Sequence, residues 1–202
     1  MTPDTLDLDA YLTRIGHHGA RDVSLPTLRA LVARHSAAIA FENIDPLAGR
    51  MPLLDVGSLQ RKLIHGGRGG YCYEQNTLFL AALRALGFTA AGLMARVRRG
   101  VPPLVETARS HMLLRVDLPE GPYLADVGFG GLTPTAPLML RLGAEQKTPN
   151  ETFRLTSEGD ELLLQAGIAS GWEDVYQANR VKKSCRDEAR EERIVPSGGL
   201  AA

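Results

Sequence analysis

The chain has 202 residues, of which 44% are hydrophobic, and it contains 23 Lys and Arg residues against 23 Asp and Glu residues. This composition allows a packed core and argues against a disordered chain. The balanced charge leaves no excess of cations to neutralise a phosphate backbone or an anionic membrane surface. Nucleic-acid-binding and membrane-binding proteins are therefore poor matches.

The N-terminal segment MTPDTLDLDAYL is acidic where a signal peptide would be basic, and the longest apolar run covers only residues 78–83. A membrane-spanning helix needs about 20 apolar residues, so this run is too short. The two cysteines, Cys72 and Cys185, lie in dissimilar surroundings and suggest no disulfide framework, which is typical of a reducing compartment. We therefore expect a soluble, cytoplasmic protein.

Residues 1–87 show the apolar spacing of amphipathic helices. Four helices are predicted: residues 7–15, a segment capped by Ser24, a segment that runs from Asp55 to Gly66, and residues 72–86. Ser and Asp side chains accept hydrogen bonds from the free N–H groups of a first helical turn, and a glycine such as Gly87 ends a helix. We therefore predict a small helical bundle over residues 1–87.

From residue 88 onward, strand-like segments bounded by Gly, Pro and charged turns replace the helical spacing. The predicted strands are 88–98, 110–118, 123–127, 152–157 and 162–166, with a turn at 119–122. They indicate an antiparallel sheet or small barrel over residues 88–176, and hence an α+β fold. Residues 177–202 have mixed charge and no clear apolar face, so we expect a frayed helix or a disordered tail there.

The stretch RGGYCYEQN, residues 68–76, places Cys72 at the start of the fourth predicted helix, directly after Gly69, Gly70 and a tyrosine. A helix N-terminus or a nearby histidine cation stabilises a thiolate. The glycines allow a tight turn, after which free N–H groups could face an oxyanion. Free cysteines are, however, often small buried core residues. This stretch alone leaves both interpretations of Cys72 open, a reactive nucleophile and a packing residue.

A cysteine nucleophile needs a base, and the sequence contains five histidines. Four of them lie in a charged turn or on predicted helices, where packing or the helix dipole explains them. These are His17, His18, His35 and His65. His111 instead starts the predicted strand HMLLRVDL, where no local feature explains an imidazole. His111 is therefore the candidate base, although a buried structural histidine is the default interpretation of such a position.

A carboxylate that orients the imidazole would complete such a site. Asp117 lies six residues along the same strand, about 20 Å from His111, which excludes it if the strand is straight. The other candidate, Asp126, precedes the glycine-rich turn VGFGG at the end of the next predicted strand. That position could hold a carboxylate at a strand end.

The predicted hairpin does not by itself bring Asp126 to His111. A hairpin tip at residues 120–121 pairs Leu118 with Tyr123 and puts Asp126 on the same face as His111. The two residues then stand four positions out of register, roughly 13 Å apart. A bulge, a strong twist or a different strand pairing would have to close this distance.

Four motifs occur in a fixed order: IAFENIDPL at residues 39–47, RGGYCYEQN, SHMLL around His111, and LADVGFGG at residues 124–131. In order and spacing they closely resemble the arylamine N-acetyltransferase family, over about residues 11–176. The resemblance implies a helical bundle, a β-barrel and an α/β lid, with a Cys-His-Asp triad like that of cysteine proteases. It also implies ping-pong transfer of an acetyl group from acetyl-CoA, through a thioester on the cysteine, to a small arylamine or hydrazine.

By this resemblance Cys72 is the acetyl-accepting nucleophile, His111 its base and Asp126 the orienting carboxylate. The resemblance also implies substrate-binding and cofactor-binding positions, which are Phe129, Gly128, Gly130, Gly131 and Arg68. Phe129 would line the acceptor pocket, and the three glycines would approach the coenzyme A arm. Arg68 would shape the turn that leads to the nucleophile helix, above a supporting motif at residues 41–43.

The resemblance ends after Tyr176, and residues 177–202 show no counterpart of the family's third domain, which we therefore expect to be missing or divergent. Barrel faces left exposed by a missing lid would favour self-association. Three functions stay open: an active acetyltransferase, a family member impaired in acetyl-CoA use, and a hydrolytic cysteine enzyme. No metal site is expected, because the only close pair of histidines, His17 and His18, has diverging side chains.

Overall fold

The computed structural model of this chain describes residues 5–102 and 105–179. Within these ranges the first part is helical: α1 (Leu8–Arg14), α2 (Leu25–Ala38), α3 (Ile44–Leu47), α4 (Val56–Leu59) with a π-helical continuation (Gln60–His65), and α5 (Cys72–Ala85). None of these helices is long and apolar enough to cross a bilayer.

Three predicted helix starts are confirmed by side-chain caps. The cap residues are Asp7, Ser24 and Asp55, whose side chains accept hydrogen bonds from N–H groups three residues further on. Each cap satisfies one of the donors that a first helical turn leaves free. Helix α5 begins at Cys72, as the sequence predicts.

The third predicted helix differs from the prediction in its second half. Residues Gln60–His65 form a π-helix, whose wider turn the sequence spacing did not indicate. Its apolar pattern still holds, because Leu59 and Leu63 are fully buried. The Gln60 amide accepts a hydrogen bond from the backbone N–H of Asp7 at 2.6 Å, which ties this segment to the start of α1. The short helix α3 was not predicted.

Eight strands form one antiparallel sheet in the described residues: β1 (Thr89–Val97), β2 (His111–Leu118), β3 (Gly121–Ala125), β4 (Leu138–Met139), β5 (Glu145–Lys147), β6 (Thr152–Glu158), β7 (Glu161–Ile168) and β8 (Gly171–Asn179). Their order is β4-β3-β2-β1-β8-β7-β6-β5. The five predicted strands are present, whereas β4, β5 and β8 were missed. Strand β8 continues past the expected boundary at Tyr176, and the rest of the expected tail lies outside the described residues.

A glutamine side chain nearly closes the sheet into a barrel. Strands β4 and β5 are its two edges, and Gln146 of β5 bridges them. Its amide oxygen accepts from the backbone N–H of Met139 at 2.8 Å, and its amide nitrogen donates to the Met139 carbonyl at 2.9 Å. The side chain thus takes the place of a neighbouring strand, and the α+β fold with an antiparallel barrel-like sheet is confirmed.

The helices and the sheet share a core. Alternate residues of β2, such as Met112 and Leu114, pack among the helices, whereas Leu113 points to the opposite side with Phe153. The change from helix to strand lies between α5 and β1, near Gly87. His111 is the first residue of β2 and lies on the same face of the sheet as Leu113. Strand β2 packs against α5.

Gln146→Ala is expected to weaken the barrel by about 1–2 kcal/mol, because two hydrogen bonds across its edges are lost. Urea unfolding measures this difference. The neighbouring exposed residue gives the control, since Lys147→Ala should stay within about 0.5 kcal/mol of the parent chain. Equal free energies of unfolding in the two variants would show that the Gln146 bridge adds nothing to stability.

Candidate active site

Cys72 is the first residue of α5 and is almost buried, with 7% of its surface exposed. Its Sγ lies 3.6 Å from the carbonyl oxygen of Ser110, directly before β2. The start of α5 is held by Glu74, which accepts a hydrogen bond from the N–H of Tyr71 at 3.1 Å and binds Lys62 Nζ at 2.7 Å. The thiol therefore sits on a braced helix N-terminus, between the helices and the sheet.

The turn before Cys72 is pressed against the segment that follows α2. Gly70 donates a hydrogen bond to the carbonyl of Ala40 at 3.2 Å and accepts one from the N–H of Glu42 at 3.1 Å. A Cβ on Gly69 would stand only 2.1 Å from the Ala40 oxygen. Only glycine fits at position 69, which explains one glycine of the RGG motif by close backbone approach.

The structure brings Cys72, His111 and Asp126 together. His111 Nε2 lies 2.7 Å from Asp126 Oδ2, and both side chains are buried, with 3% and 0% exposure. The imidazole also interacts with the Cys72 side chain. Because Nε2 faces the carboxylate, Nδ1 is the nitrogen left for the sulfur. This is the arrangement of a nucleophile, a base and an orienting group.

The predicted register of the β2–β3 hairpin is wrong by two residues, and the correction explains this contact. Leu118 pairs with Gly121, not with Tyr123, so the turn consists of residues 119–120. In this register Asp126 would stand opposite residue 113, two positions from His111. Such diagonal neighbours on one face lie about 7–8 Å apart at their Cα atoms, which side chains can span. No bulge is needed.

The electrostatics favour a charged imidazole. Burial of His111 opposes its cation, but the Asp126 carboxylate and the contact with Cys72 outweigh burial and raise the His111 pKa to about 9. Burial likewise opposes the Asp126 carboxylate, yet His111 and further hydrogen bonds lower the Asp126 pKa below its ordinary value. The pair is therefore an ion pair near neutral pH, with a cation beside the sulfur.

Asn76 completes the hydrogen bonding of Asp126, a role that the sequence interpretation missed. Its amide nitrogen donates to Asp126 Oδ1 at 3.1 Å and to the Met112 carbonyl at 2.8 Å, and its oxygen accepts from the N–H of Val127 at 3.2 Å. A signal was present in the sequence, because Asn76 follows Cys72 by four residues and therefore shares its helix face. Asn76 thus links α5 to β2 and to the loop after β3.

Two aromatic rings enclose the imidazole. The Phe129 ring meets His111 edge-on at 5.1 Å between centroids, and the Tyr176 ring lies 5.1 Å away at an angle of 35°. Burial and the nearby Asp126 charge raise the Tyr176 pKa well above 10.0. The Tyr176 hydroxyl is buried and interacts with the Asp126 carboxylate. Tyr176 could not be identified from the sequence, because its strand lies far along the chain from His111.

The structure gives the other predicted binding residues packing contacts. A Cβ on Gly130 would stand 3.6 Å from the Phe41 ring, and one on Gly131 would stand 2.7 Å from Arg99 Nη1. Arg68 forms salt bridges at 2.8 Å and 3.0 Å, to Glu42 and Asp45 respectively. These contacts do not involve a ligand, so the binding roles of these residues stay predictions.

The excluded candidates lie apart from this site. Asp117 bonds to Arg115 at 2.7 Å, and His35 is buried between α1 and α5. Among residues 5–102 and 105–179, no group of three or more His, Cys, Asp or Glu side chains could hold a metal ion.

A family model described as N-acetyltransferase matches residues 24–191. The chain is 44% identical to the arylamine N-acetyltransferase of Escherichia coli, over 84% of this chain and 60% of that protein. It is also 44% identical to the Mycolicibacterium smegmatis protein of the same name, over 85% of this chain and 64% of that one. The chain therefore spans somewhat less than two thirds of these relatives.

Solved structures agree with these relatives. The arylamine N-acetyltransferase of Mycobacterium marinum superposes with a TM-score of 0.86 at 45% identity, covering 90% of this chain and 68% of that one. A complex of the same protein with CoA superposes with a TM-score of 0.85 over the same shares of each chain.

Gly128→Ala adds only one methyl group, but it is expected to disrupt the site. A Cβ there would stand 3.0 Å from Cys72 Cα and 3.0 Å from Asn76 Nδ2, so the loop must move away from α5. The expected result is slower alkylation of Cys72 by iodoacetamide, by about tenfold or more. Gly167→Ala is the control, because its nearest contact would be 3.4 Å. Equal rates in both variants would contradict this role of Gly128.

The pH dependence of stability should report the ion pair. The raised His111 pKa contributes to the free energy of unfolding, and this contribution is complete below pH 6.5 and lost as pH rises through about 9. The lowered Asp126 pKa contributes to the free energy of unfolding as well, and this contribution is complete above pH 3.8 and lost as pH falls further. Asp126→Asn should therefore destabilise the chain most between about pH 4 and pH 6.5, by about 1–3 kcal/mol, and progressively less towards pH 9.

Urea unfolding at several pH values measures this profile. Asp117→Asn is the control, because that carboxylate is one-third exposed and pairs with an arginine. A loss of stability in Asp126→Asn that is equal at about pH 6 and about pH 10 would exclude an ion pair.

Proposed function

The chain belongs to the arylamine N-acetyltransferase family, and on this basis we propose that it transfers acetyl groups from acetyl-CoA to aromatic amines or hydrazines. The observation that carries the proposal is the buried His111, in contact with both Cys72 and Asp126 at the start of α5. Relatives named arylamine N-acetyltransferase and a neighbour solved with CoA support it. In this proposal Cys72 is the nucleophile, His111 the acid and base, and Asp126 the orienting carboxylate.

In the first half-reaction the Cys72 thiolate, beside the His111 cation, attacks the carbonyl carbon of the acetyl-CoA thioester. A bond forms to Sγ, the bond to the coenzyme A sulfur breaks, and His111 gives its proton to the departing thiolate. Backbone N–H groups at the start of α5 stabilise the transient oxyanion. Asp126 stabilises the imidazolium and holds its tautomer. The products are an acetylated Cys72, a neutral His111 and free coenzyme A.

In the second half-reaction the amine nitrogen attacks the acetyl carbon on Cys72. The amine gives a proton to His111, the bond to Sγ breaks, and the thiolate and imidazolium are restored. Aromatic amines and hydrazines suit this step because they are weakly basic, so their nitrogen is unprotonated near neutral pH. The arylamine named in the relatives' descriptions supports this choice of acceptor.

The proposed binding residues surround the reacting sulfur. Phe129 would line the acceptor pocket, and its edge-on contact with His111 supports this position beside the triad. Gly128, Gly130 and Gly131 would approach the coenzyme A arm, and Arg68 would shape the turn before Cys72. The ion pairs of Arg68 with the segment after α2 support that last role.

Two other functions would use the same three residues. The chain spans 60–64% of the curated relatives cited above. The first alternative is a family member that keeps the three residues but is impaired in acetyl-CoA use. A cysteine hydrolase is the second, because its triad follows the same chemistry. Amide hydrolysis without acetyl-CoA would favour that hydrolase.

We also propose a cytoplasmic location and self-association in solution. The location is the one that the two cysteines, in dissimilar sequence surroundings, predict. Self-association is supported by large apolar side chains exposed in and after α3, of which Leu47 and Met51 are 83% and 89% exposed.

The decisive measurement is the intact mass of the protein after mixing with acetyl-CoA. We expect a gain of one acetyl group, which 4-methoxyaniline then removes. Cys72→Ala should abolish the gain, whereas Cys185→Ala, which changes the other cysteine, should keep it.

A parallel reaction with p-nitrophenyl acetate separates the alternatives. Acetylation of Cys72 by this ester but not by acetyl-CoA would indicate an intact triad that does not use coenzyme A. No acetylation by either reagent, or an adduct that persists in Cys72→Ala, would contradict the proposed nucleophile.

A further inference from the structure

A chain of buried polar side chains connects three helices behind the nucleophile. Tyr11 Oη of α1 lies 2.9 Å from His35 Nδ1 of α2, and His35 Nε2 lies 3.1 Å from Gln75 Oε1 of α5. All three residues have no exposed surface. The proposed acetyl transfer uses none of them. Most buried polar groups in folded proteins have a hydrogen-bond partner, and here the three side chains bind one another.

The chain ends on the turn that precedes Cys72. Gln75 Nε2 donates to the carbonyl of Ala40 at 3.1 Å and to the carbonyl of Gly70 at 3.0 Å. These two carbonyls also take part in the backbone hydrogen bonds that join the turn to the segment after α2. One amide therefore clamps both sides of the contact that sets the start of α5.

The direction of every hydrogen bond in this chain is determined. Carbonyls only accept, so the Gln75 nitrogen must face them and its oxygen must face His35. His35 Nε2 must then carry a hydrogen, Nδ1 must be bare in the neutral ring, and the Tyr11 hydroxyl must donate to it. No member can reverse without leaving a buried donor or acceptor unpaired, which costs about 1–3 kcal/mol.

We propose that His35 and Gln75 are positioning residues for the nucleophile: the relay from Tyr11 through His35 fixes the Gln75 amide, which holds the Gly70 turn and thereby aims Cys72 at His111. Neither residue touches the reacting atoms. The inference rests on the proposed function only for its acetylation readout, because alkylation of Cys72 needs no acetyl-CoA.

The electrostatics of His35 agree with a fixed neutral ring. Burial lowers the His35 pKa to about 4, and the positive charge of Arg14 lowers it further, whereas the hydrogen bond that His35 donates to Gln75 Oε1 opposes this shift. The relay therefore keeps one protonation state over the range in which His111 titrates. Of these two histidines, His111 carries charge for the chemistry and His35 stays neutral to support it.

The experiment compares Gln75→Met with Leu83→Val in the full chain. Methionine has nearly the volume of glutamine but cannot hold the two carbonyls, whereas Leu83 is a buried residue two turns further along α5 that loses only packing. The second-order rate of Cys72 alkylation by iodoacetamide, and single-turnover acetylation by acetyl-CoA, are measured below the unfolding transition of each variant.

We expect both rates to fall about tenfold or more in Gln75→Met and to stay within about twofold in Leu83→Val, because an error of about 1 Å in position strongly slows a reaction. Equal rates in the two variants, at comparable urea midpoints, would overturn the proposal. If neither variant nor the parent chain is acetylated but the alkylation contrast persists, the positioning role stands and the proposed function fails.

A second pair of variants guards against misfolding of Gln75→Met. His35→Gln can still donate to Gln75 Oε1 from a nitrogen near the place of Nε2, whereas His35→Leu cannot. We expect His35→Gln to restore most of the alkylation rate and His35→Leu to show the loss. The same rate in both would exclude the relay, because their volumes are similar and only the hydrogen bond differs.

Discussion

The carboxylate of Asp126 is the group on which the site depends, because a charge with no exposed surface must be hydrogen-bonded on all sides. It receives bonds from His111 of β2, from Asn76 of α5 and from the N–H of Gly128 in its own loop. Each donor belongs to a different part of the fold. The charge therefore requires helix, strand and loop to meet in one arrangement, and this arrangement presents an imidazolium to the sulfur.

The start of α5, where Cys72 is the first residue, is constrained in a complementary way. On its outer side, Lys62 binds Glu74 and Asp45 at 2.7 Å and 2.8 Å, and Arg68 binds Glu42 and Asp45. These pairs join the segment after α2 to the π-helix and to the first turn of α5. On its inner side the hydrogen bonds come from the uncharged and buried Gln75 amide. Cys72 thus follows a turn that is held by ion pairs on one side and by the Gln75 amide on the other.

Local chemistry made part of this molecule predictable from sequence. Ser24 and Asp55 indicate helix starts, because a capping side chain binds the N–H group of a residue only three positions further on. The start of α5 at Cys72 was likewise predicted from its local sequence. The grouping of Cys72, His111 and Asp126 was predicted through motifs, because spacing alone left His111 and Asp126 too far apart. Tyr176 and the role of His35 could not be predicted, since both depend on contacts between residues far apart in the chain. The β2–β3 register was missed because Gly121 pairs within the ladder, whereas its composition suggested the turn.

The position of β8 has a consequence for how the protein is made. It is the last strand of the described sheet in chain order, yet it lies between β1 and β7 and places Tyr176 against His111. The halves of the barrel, β4-β3-β2-β1 and β7-β6-β5, cannot join until β8 has left the ribosome. The sheet therefore stays incomplete until nearly all of the described chain has been synthesised. The wall of the site is therefore completed late, and a nascent chain exposes the edge of β1 until β8 covers it.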